Sequence, residues 1–96
     1  MREPTDQEIL DILQEECAEV IHIVSKIRRF GMYDKHPTHF ASNYEKFAGE
    51  LKDLLAMIQW TDSRYRITGS AEELATSISD KHDKVRRYLR DDKEKV

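Results

Sequence analysis

The chain is predicted to be all-α, and three observations support this prediction. Apolar residues recur at the three- and four-residue spacing of amphipathic helices in three separate stretches. No stretch alternates apolar and polar residues over the length of a strand. The 96 residues include only three Gly and two Pro, which leaves room for few turns. We therefore expect a single helical domain over residues 1–96.

The first helix is expected over residues 6–30. Thr5, followed three residues later by Glu8, has the spacing of a capping box, and Gly31 is a typical C-terminal stop. The single Cys, Cys17, excludes an internal disulfide and is expected to be an unreactive core thiol. It belongs to a broad apolar face formed at roughly 100° per residue, whose members are Ile9, Ile12, Leu13, Cys17, Val20, Ile21, Ile23, Val24 and Ile27.

Two further helices are expected, over residues 43–62 and 71–90, with a charged tail at 91–96. The segment 31–42 is expected to be a loop, because Pro37 disfavours a helical conformation in the residue before it. The apolar face of the second helix comprises Tyr44, Phe47, Leu51, Leu54, Leu55 and Ile58. The third helix starts after a capping-box pair, Ser70 and Glu73. Its apolar stripe comprises Ala71, Leu74, Ala75, Ile78, Val85 and Leu89.

Carboxylates lie beside the apolar faces of the first two helices. Glu16 falls inside the first face and Glu19 at its edge, while Glu50 borders the second face and Asp53 lies further out. An ionised carboxylate taken out of water needs a compensating partner. If the two helices pack, the four carboxylates can meet. An all-oxygen set of this kind suits Mg²⁺ or Mn²⁺ better than zinc.

Other metal and phosphate sites are disfavoured. The four His residues have no Cys at zinc-site spacing, and the acidic pairs lack the Glu-x-x-His of di-iron bundles. A Gly-rich phosphate loop, a GxSxG motif and a kinase signature are all missing from the sequence. Any phosphate chemistry would therefore depend on metal ions and side chains.

The sequence EECAE at 15–19, followed by ELKD at 50–53, resembles the EExxE and ExxD signature of the MazG-like, all-α nucleoside triphosphate pyrophosphohydrolases. The segments SKIRRFG and DLLAMI, and Asn43 before the second acidic pair, also resemble this family. The resemblance runs from about Leu13 to Met57. The interval between Glu19 and Glu50 is longer than in many relatives.

This resemblance implies hydrolysis of an NTP or dNTP to the monophosphate and pyrophosphate. It also implies a four-helix-bundle type of assembly, as a homodimer or a homotetramer. The implied Mg²⁺ ligands are Glu16, Glu19, Glu50 and Asp53. Glu15 is then an outer-shell group, an additional metal contact or the base for the attacking water, so that Glu15 and Glu16 form the catalytic pair.

The expected substrate-binding residues are basic, polar or aromatic. Lys81 and Lys84 border the apolar stripe of the third helix, where the resemblance implies a position near the phosphates. Arg29 closes the first helix, where capping alone could explain a cation. Asn43 completes the polar set. The aromatic residues expected to pack against the base are Phe30, Tyr33, Phe40 and Trp60.

Composition limits the partners. The net charge of −3 disfavours a general nucleic-acid binder, and no apolar run is long enough for a membrane span or a signal core. We therefore expect a cytoplasmic protein. Two alternatives remain open: a phosphoribosyl-ATP pyrophosphohydrolase, and a non-catalytic helical interaction module whose acidic pairs form salt bridges with a partner. A Mg²⁺-specific rise in thermal stability would disfavour the interaction module.

Overall fold

A computed structural model describes residues 1–35, 37, 38 and 40–94, without the side chains of 91–94. These residues form three helices, α1 (Asp6–Phe30), α2 (Asn43–Tyr65) and α3 (Ala71–Glu94), and no strand occurs among them. The predicted all-α class is confirmed. α1 has the predicted bounds, whereas α2 ends at Tyr65 rather than at residue 62 and α3 at Glu94 rather than at residue 90.

The chain divides into two compact units, Met1–Tyr65 and Arg66–Val96. The first unit contains α1 and α2, and the second contains α3. α3 begins as the sequence predicts, since the Ser70 hydroxyl oxygen accepts a hydrogen bond from the Glu73 backbone N–H at 3.1 Å. None of the described helices combines the length and the apolar character needed to cross a membrane.

Both ends of α1 are fixed by local signals in the sequence. At the start, Thr5 Oγ1 accepts from the Glu8 backbone N–H at 3.1 Å, and Glu8 Oε1 accepts from the Thr5 N–H at 2.9 Å. At the end, Gly31 adopts a φ of 101°, which few residues other than glycine tolerate. Its N–H donates to the carbonyl of Ile27 at 2.7 Å. These bonds satisfy backbone groups that have no partner within the helix.

Hydrogen bonds at both ends tie α1 and α2 into an antiparallel hairpin. Near the connection, the Asn43 backbone N–H donates to the Asp34 carbonyl at 2.9 Å, and Asn43 Nδ2 donates to the Gly31 carbonyl at 3.0 Å. At the opposite end, Arg64 donates to Asp6 Oδ1 at 2.6 Å and to the Pro4 carbonyl at 2.8 Å. The end of each helix therefore lies beside the start of the other.

A seam of buried and half-buried residues runs along each helix of the hairpin. In both helices these residues are separated alternately by four and three positions, which is the spacing of a coiled-coil contact. The seam of α1 comprises Ile9, Leu13, Glu16, Val20, Ile23 and Ile27, and the seam of α2 comprises Asn43, Phe47, Glu50, Leu54, Met57 and Thr61. Each seam thus contains one glutamate among its less exposed residues.

This arrangement corrects the predicted apolar face of α2. Phe47 and Leu54 do lie in the seam, but Leu55 is 60% exposed and Ile58 42% exposed. The seam includes the polar Asn43, Glu50 and Thr61 instead. The inner face of α2 is therefore centred closer to Glu50 than the predicted apolar face is. Cys17, predicted to be a core thiol, is exposed. The hairpin therefore leaves part of its apolar surface uncovered.

Candidate metal centre

Glu16 lies in the middle of the α1 seam, between Leu13 and Val20. The side chain is half-buried, and its Oε2 atom is buried without a hydrogen-bond partner among the residues that the structure describes. Buried carboxylate oxygens are normally hydrogen-bonded, paired with a cation or bound to a metal. Glu16 therefore has an unmet requirement for a positively charged or hydrogen-bond-donating partner.

Two carboxylates of α2 lie next to Glu16. One oxygen each from Glu16, Glu50 and Asp53 can be chosen so that all lie within 4.8 Å of one another. Glu50 is half-buried in the α2 seam, and Asp53, one turn further along, is exposed. The antiparallel packing of the hairpin brings together carboxylates that are more than 30 residues apart in sequence. The sequence predicts this meeting of Glu16 with Glu50 and Asp53.

The electrostatic setting of Glu16 favours its protonated form. Burial raises the pKa of Glu16, and the nearby carboxylates of Asp53, Glu50, Glu19 and Glu15 raise this pKa further. Glu8 provides a contrast on the same helix. There the hydrogen-bonded guanidinium of Arg2, at 2.7 Å, lowers the pKa of Glu8 to about 2. The rise at Glu16 is the response expected where several carboxylates share a site without a neutralising cation.

Glu15 and Glu19 lie outside the cluster formed by the other three carboxylates. Both are exposed, and neither belongs to the group of oxygens within 4.8 Å. Glu19 instead lines a cavity of about 280 Å³ between the two helices, which we call the carboxylate groove. The groove is lined by Glu19, His22, Ile23, Lys26, Lys46 and Glu50. Glu50 therefore belongs to both the cluster and the groove.

The clustered oxygens are close enough together to be compared with the ligands of a magnesium ion. With Mg–O bonds near 2.1 Å, neighbouring ligand oxygens of an octahedral ion are about 3.0 Å apart and opposite ones about 4.2 Å. The 4.8 Å limit on the clustered oxygens is only slightly wider than the larger of these separations. The buried, partnerless oxygen of Glu16 also fits a cation. The residues therefore fit a hard divalent cation.

The predicted substrate-binding residues lie in different parts of the chain. Asn43 is buried near the connection, where its amide holds the Gly31 carbonyl. Arg29 lies at the same end and stacks over the Phe30 ring, with 5.2 Å from the guanidinium carbon to the ring centroid. Trp60 lies at the opposite end of the hairpin, in a cavity lined also by Pro4 and Ile12. Asn43 and Trp60 are thus about 25 Å apart along α2, so they do not come together.

Of the other aromatic residues, Tyr33 stacks on Tyr44 with 5.8 Å between ring centroids, and Phe40 is almost fully exposed. Lys81 and Lys84 lie on α3, in the second unit. Their predicted role at the phosphates stays a prediction. His36 and His39 of the loop lie outside the described residues.

No family model matches the chain, and neither does any curated protein or solved structure. Membership of the MazG-like family therefore stays a prediction that rests on the EExxE and ExxD residues. The geometry of the Glu16, Glu50 and Asp53 cluster is independent of that resemblance.

The sequence patterns do not single out Lys26 and Lys46, which line the carboxylate groove. Helical spacing contains the signal that would have found them. Lys46 is four residues before Glu50, and Lys26 is seven residues after Glu19, so each lysine shares a helix face with a carboxylate. The groove therefore places cationic side chains next to the acidic cluster.

Proposed function

We propose that the chain is a Mg²⁺-dependent nucleoside triphosphate pyrophosphohydrolase of the MazG-like type, acting in the cytoplasm. The observation that carries this proposal is the partnerless, buried oxygen of Glu16 beside Glu50 and Asp53. A structural salt bridge would have placed a cationic side chain within hydrogen-bonding distance of this Glu16 oxygen, and none of the described residues does so. A cluster prepared for a divalent cation has the opposite property, because it is electrostatically incomplete until the ion binds.

In this proposal Glu16, Glu50 and Asp53 hold the ion, with Glu19 as a further ligand at the edge of the cluster. When bound, Mg²⁺ supplies positive charge to the phosphate oxygens and to the charge that develops during phosphoryl transfer. Glu15 is exposed next to the cluster, so it can orient a water molecule and accept its proton. The water oxygen forms a new P–O bond as the anhydride between the α- and β-phosphates breaks, and pyrophosphate leaves.

The test is a product analysis with a panel of ribo- and deoxyribonucleoside triphosphates and phosphoribosyl-ATP, each incubated with Mg²⁺. We expect monophosphate and pyrophosphate from at least one nucleoside triphosphate. We also expect Glu50→Gln to abolish the release of pyrophosphate, whereas Glu45→Gln, the same charge change at an exposed site on α2, retains it. Diphosphate with orthophosphate as the products would contradict the proposal. Turnover of phosphoribosyl-ATP alone would instead assign the chain to that related reaction.

We further propose that the active form is a homodimer or homotetramer. Support comes from a second apolar stripe on α2, formed by Tyr44, Leu51, Leu55 and Ile58, all of which are exposed. Successive members of this stripe are seven, four and three residues apart, which is a spacing that suits packing against another helix. Such a stripe on a short chain with a small core is typical of a subunit contact. A second copy of the chain is the proposed occupant.

A further inference from the structure

A second cavity adjoins the carboxylate groove. This cavity, which we call the loop pocket, has a volume of about 330 Å³ and lies where α1 ends and α2 begins. Its walls include Lys26, Phe30, Lys35, Pro37, Ala41 and Lys46. Lys26 and Lys46 line both cavities. The two cavities therefore share a basic boundary.

The order of chemical groups along the hairpin is determined by helix spacing. On α2, Lys46 precedes Glu50 by four residues, about 6 Å along the axis. On α1, Lys26 lies between Glu19 on one side and Phe30 on the other. Carboxylates, lysines and an apolar wall thus follow one another from the middle of the hairpin towards the connection.

The lining of the loop pocket indicates the kind of ligand it can hold. Among the described residues that line it, three lysines and one carboxylate, Asp34, give an excess of positive charge, while Phe30, Pro37 and Ala41 supply an apolar wall. Phe30 is 60% exposed although the Arg29 guanidinium lies over its ring, so part of the ring is accessible to a planar group. An occupant that satisfies both features has an anionic group joined to a flat, largely apolar one. A nucleotide has this composition.

We propose that the loop pocket binds the base and sugar of a nucleotide, with Lys26 and Lys46 holding the phosphate nearest the sugar. The remaining phosphates then extend into the carboxylate groove towards Glu50. This inference rests on the proposed function for the identity of the substrate. It adds a nucleoside subsite and two phosphate-binding residues, distinct from Lys81 and Lys84.

Charge pairing with Glu19 is a weaker explanation of Lys26. Lys26 is seven residues from Glu19, two turns away. Lys26 and Lys46 are both half-buried against the cavities rather than fully solvated.

The experiment is calorimetric titration of the full chain with Mg²⁺ and two probes. One probe is a set of α,β-methylene nucleoside triphosphates, which resist cleavage between these phosphates, and the other is inorganic tripolyphosphate. The variants are Lys26→Gln, Lys46→Gln and Phe30→Ala, and Lys52→Gln is the control. Lys52 carries the same charge on an exposed site of α2 and lines neither cavity. Circular dichroism verifies that every variant is folded.

We expect at least one nucleotide analogue to bind more tightly than tripolyphosphate. Loss of either cavity lysine should weaken both probes by roughly ten- to a hundredfold, as for other charged hydrogen bonds. Phe30→Ala should weaken the nucleotide by roughly five- to a hundredfold and leave tripolyphosphate unchanged, since only the nucleotide has a base to stack. Lys52→Gln should change neither affinity by more than about twofold, because an exposed charge is screened.

The inference is overturned if the cavity variants behave like Lys52→Gln, if Phe30→Ala affects both probes equally, or if no analogue binds. Failure of the proposed function has a different signature. A chain that binds the analogues in this pattern but hydrolyses no triphosphate retains the nucleoside subsite and loses the enzymatic assignment. If the chain releases pyrophosphate but Lys26→Gln and Lys46→Gln bind both probes as tightly as the wild type does, the enzymatic assignment is retained and the subsite is lost.

Discussion

Removing the negative charge of Glu16 should abolish the stabilisation of the hairpin by Mg²⁺. In the wild-type chain, Mg²⁺ at a hundred times its Kd should raise the free energy of unfolding by about 2.7 kcal/mol. For a cooperative unit of the size of Met1–Tyr65, this corresponds to a rise in Tm of roughly 10–20 °C. Glu16→Gln should show no such rise, because the cluster loses the buried oxygen that most requires a cation.

The same substitution should have the opposite effect without metal. Mutual repulsion among Glu16, Glu50 and Asp53 is then uncompensated, and a neutral amide at position 16 relieves it. We therefore expect metal-free Glu16→Gln to be at least as stable as the metal-free wild type. This reversal separates a metal site from a site that is only structurally important.

The assay is thermal unfolding followed by circular dichroism, in EDTA and over a series of Mg²⁺ concentrations at constant ionic strength. Glu45→Gln, an exposed carboxylate on α2, is the matched control and should retain the full rise in Tm. An equal rise in the wild type and in Glu16→Gln would refute the reasoning, since the cation would then bind elsewhere. A wild-type rise no larger than the one produced by a sodium salt would refute it as well.

Further predictions concern pH, packing and assembly. Metal-free wild type should lose stability as pH rises above 4.5 through the raised pKa of Glu16, because folding favours the protonated form, and Glu16→Gln should flatten this trend in urea unfolding at several pH values. Ile9→Ala should lower the free energy of unfolding by about 2–5 kcal/mol in urea denaturation, since Ile9 is fully buried. Arg64→Ala should cost about 1 kcal/mol or less in the same measurement, because its pair with Asp6 is partly exposed. Leu55→Glu should shift the sedimentation of the chain from an oligomer to a monomer.

The start and end of α1 could be predicted because local chemistry determines both. Thr5 and Glu8 act within one helical turn, and Gly31 is selected by its own backbone conformation. The end of α2 offers no comparable signal. There the chain leaves the helix at Arg66, which has a positive φ of 55° although it is not a glycine. Propensity rules do not anticipate an arginine in that conformation.

The candidate site was predictable in part, for a similar reason. Glu16 could be assigned to the inner face because its seam neighbours Leu13, Val20 and Ile23 are apolar. Hydrophobicity alone does not locate the inner face of α2. Polar residues occupy half of its seam, and several apolar residues lie outside the seam. The groove lysines share helix faces with Glu19 and Glu50, but whether those faces line one groove depends on how the two helices pack, which no single-helix pattern contains.

The hydrogen bonds of Asn43 make the relative position of α1 and α2 separable from the composition of the loop pocket. Its backbone N–H and side-chain amide donate to the carbonyls of Asp34 and Gly31, so these two bonds join the helix ends without involving the segment 35–42. Substitutions or insertions in that segment can then alter the wall of the loop pocket while the two seams keep their relative positions. Ligand preference can thus diversify during evolution, or be exchanged by loop grafting, without disturbing the carboxylates 10 Å or so away along α2.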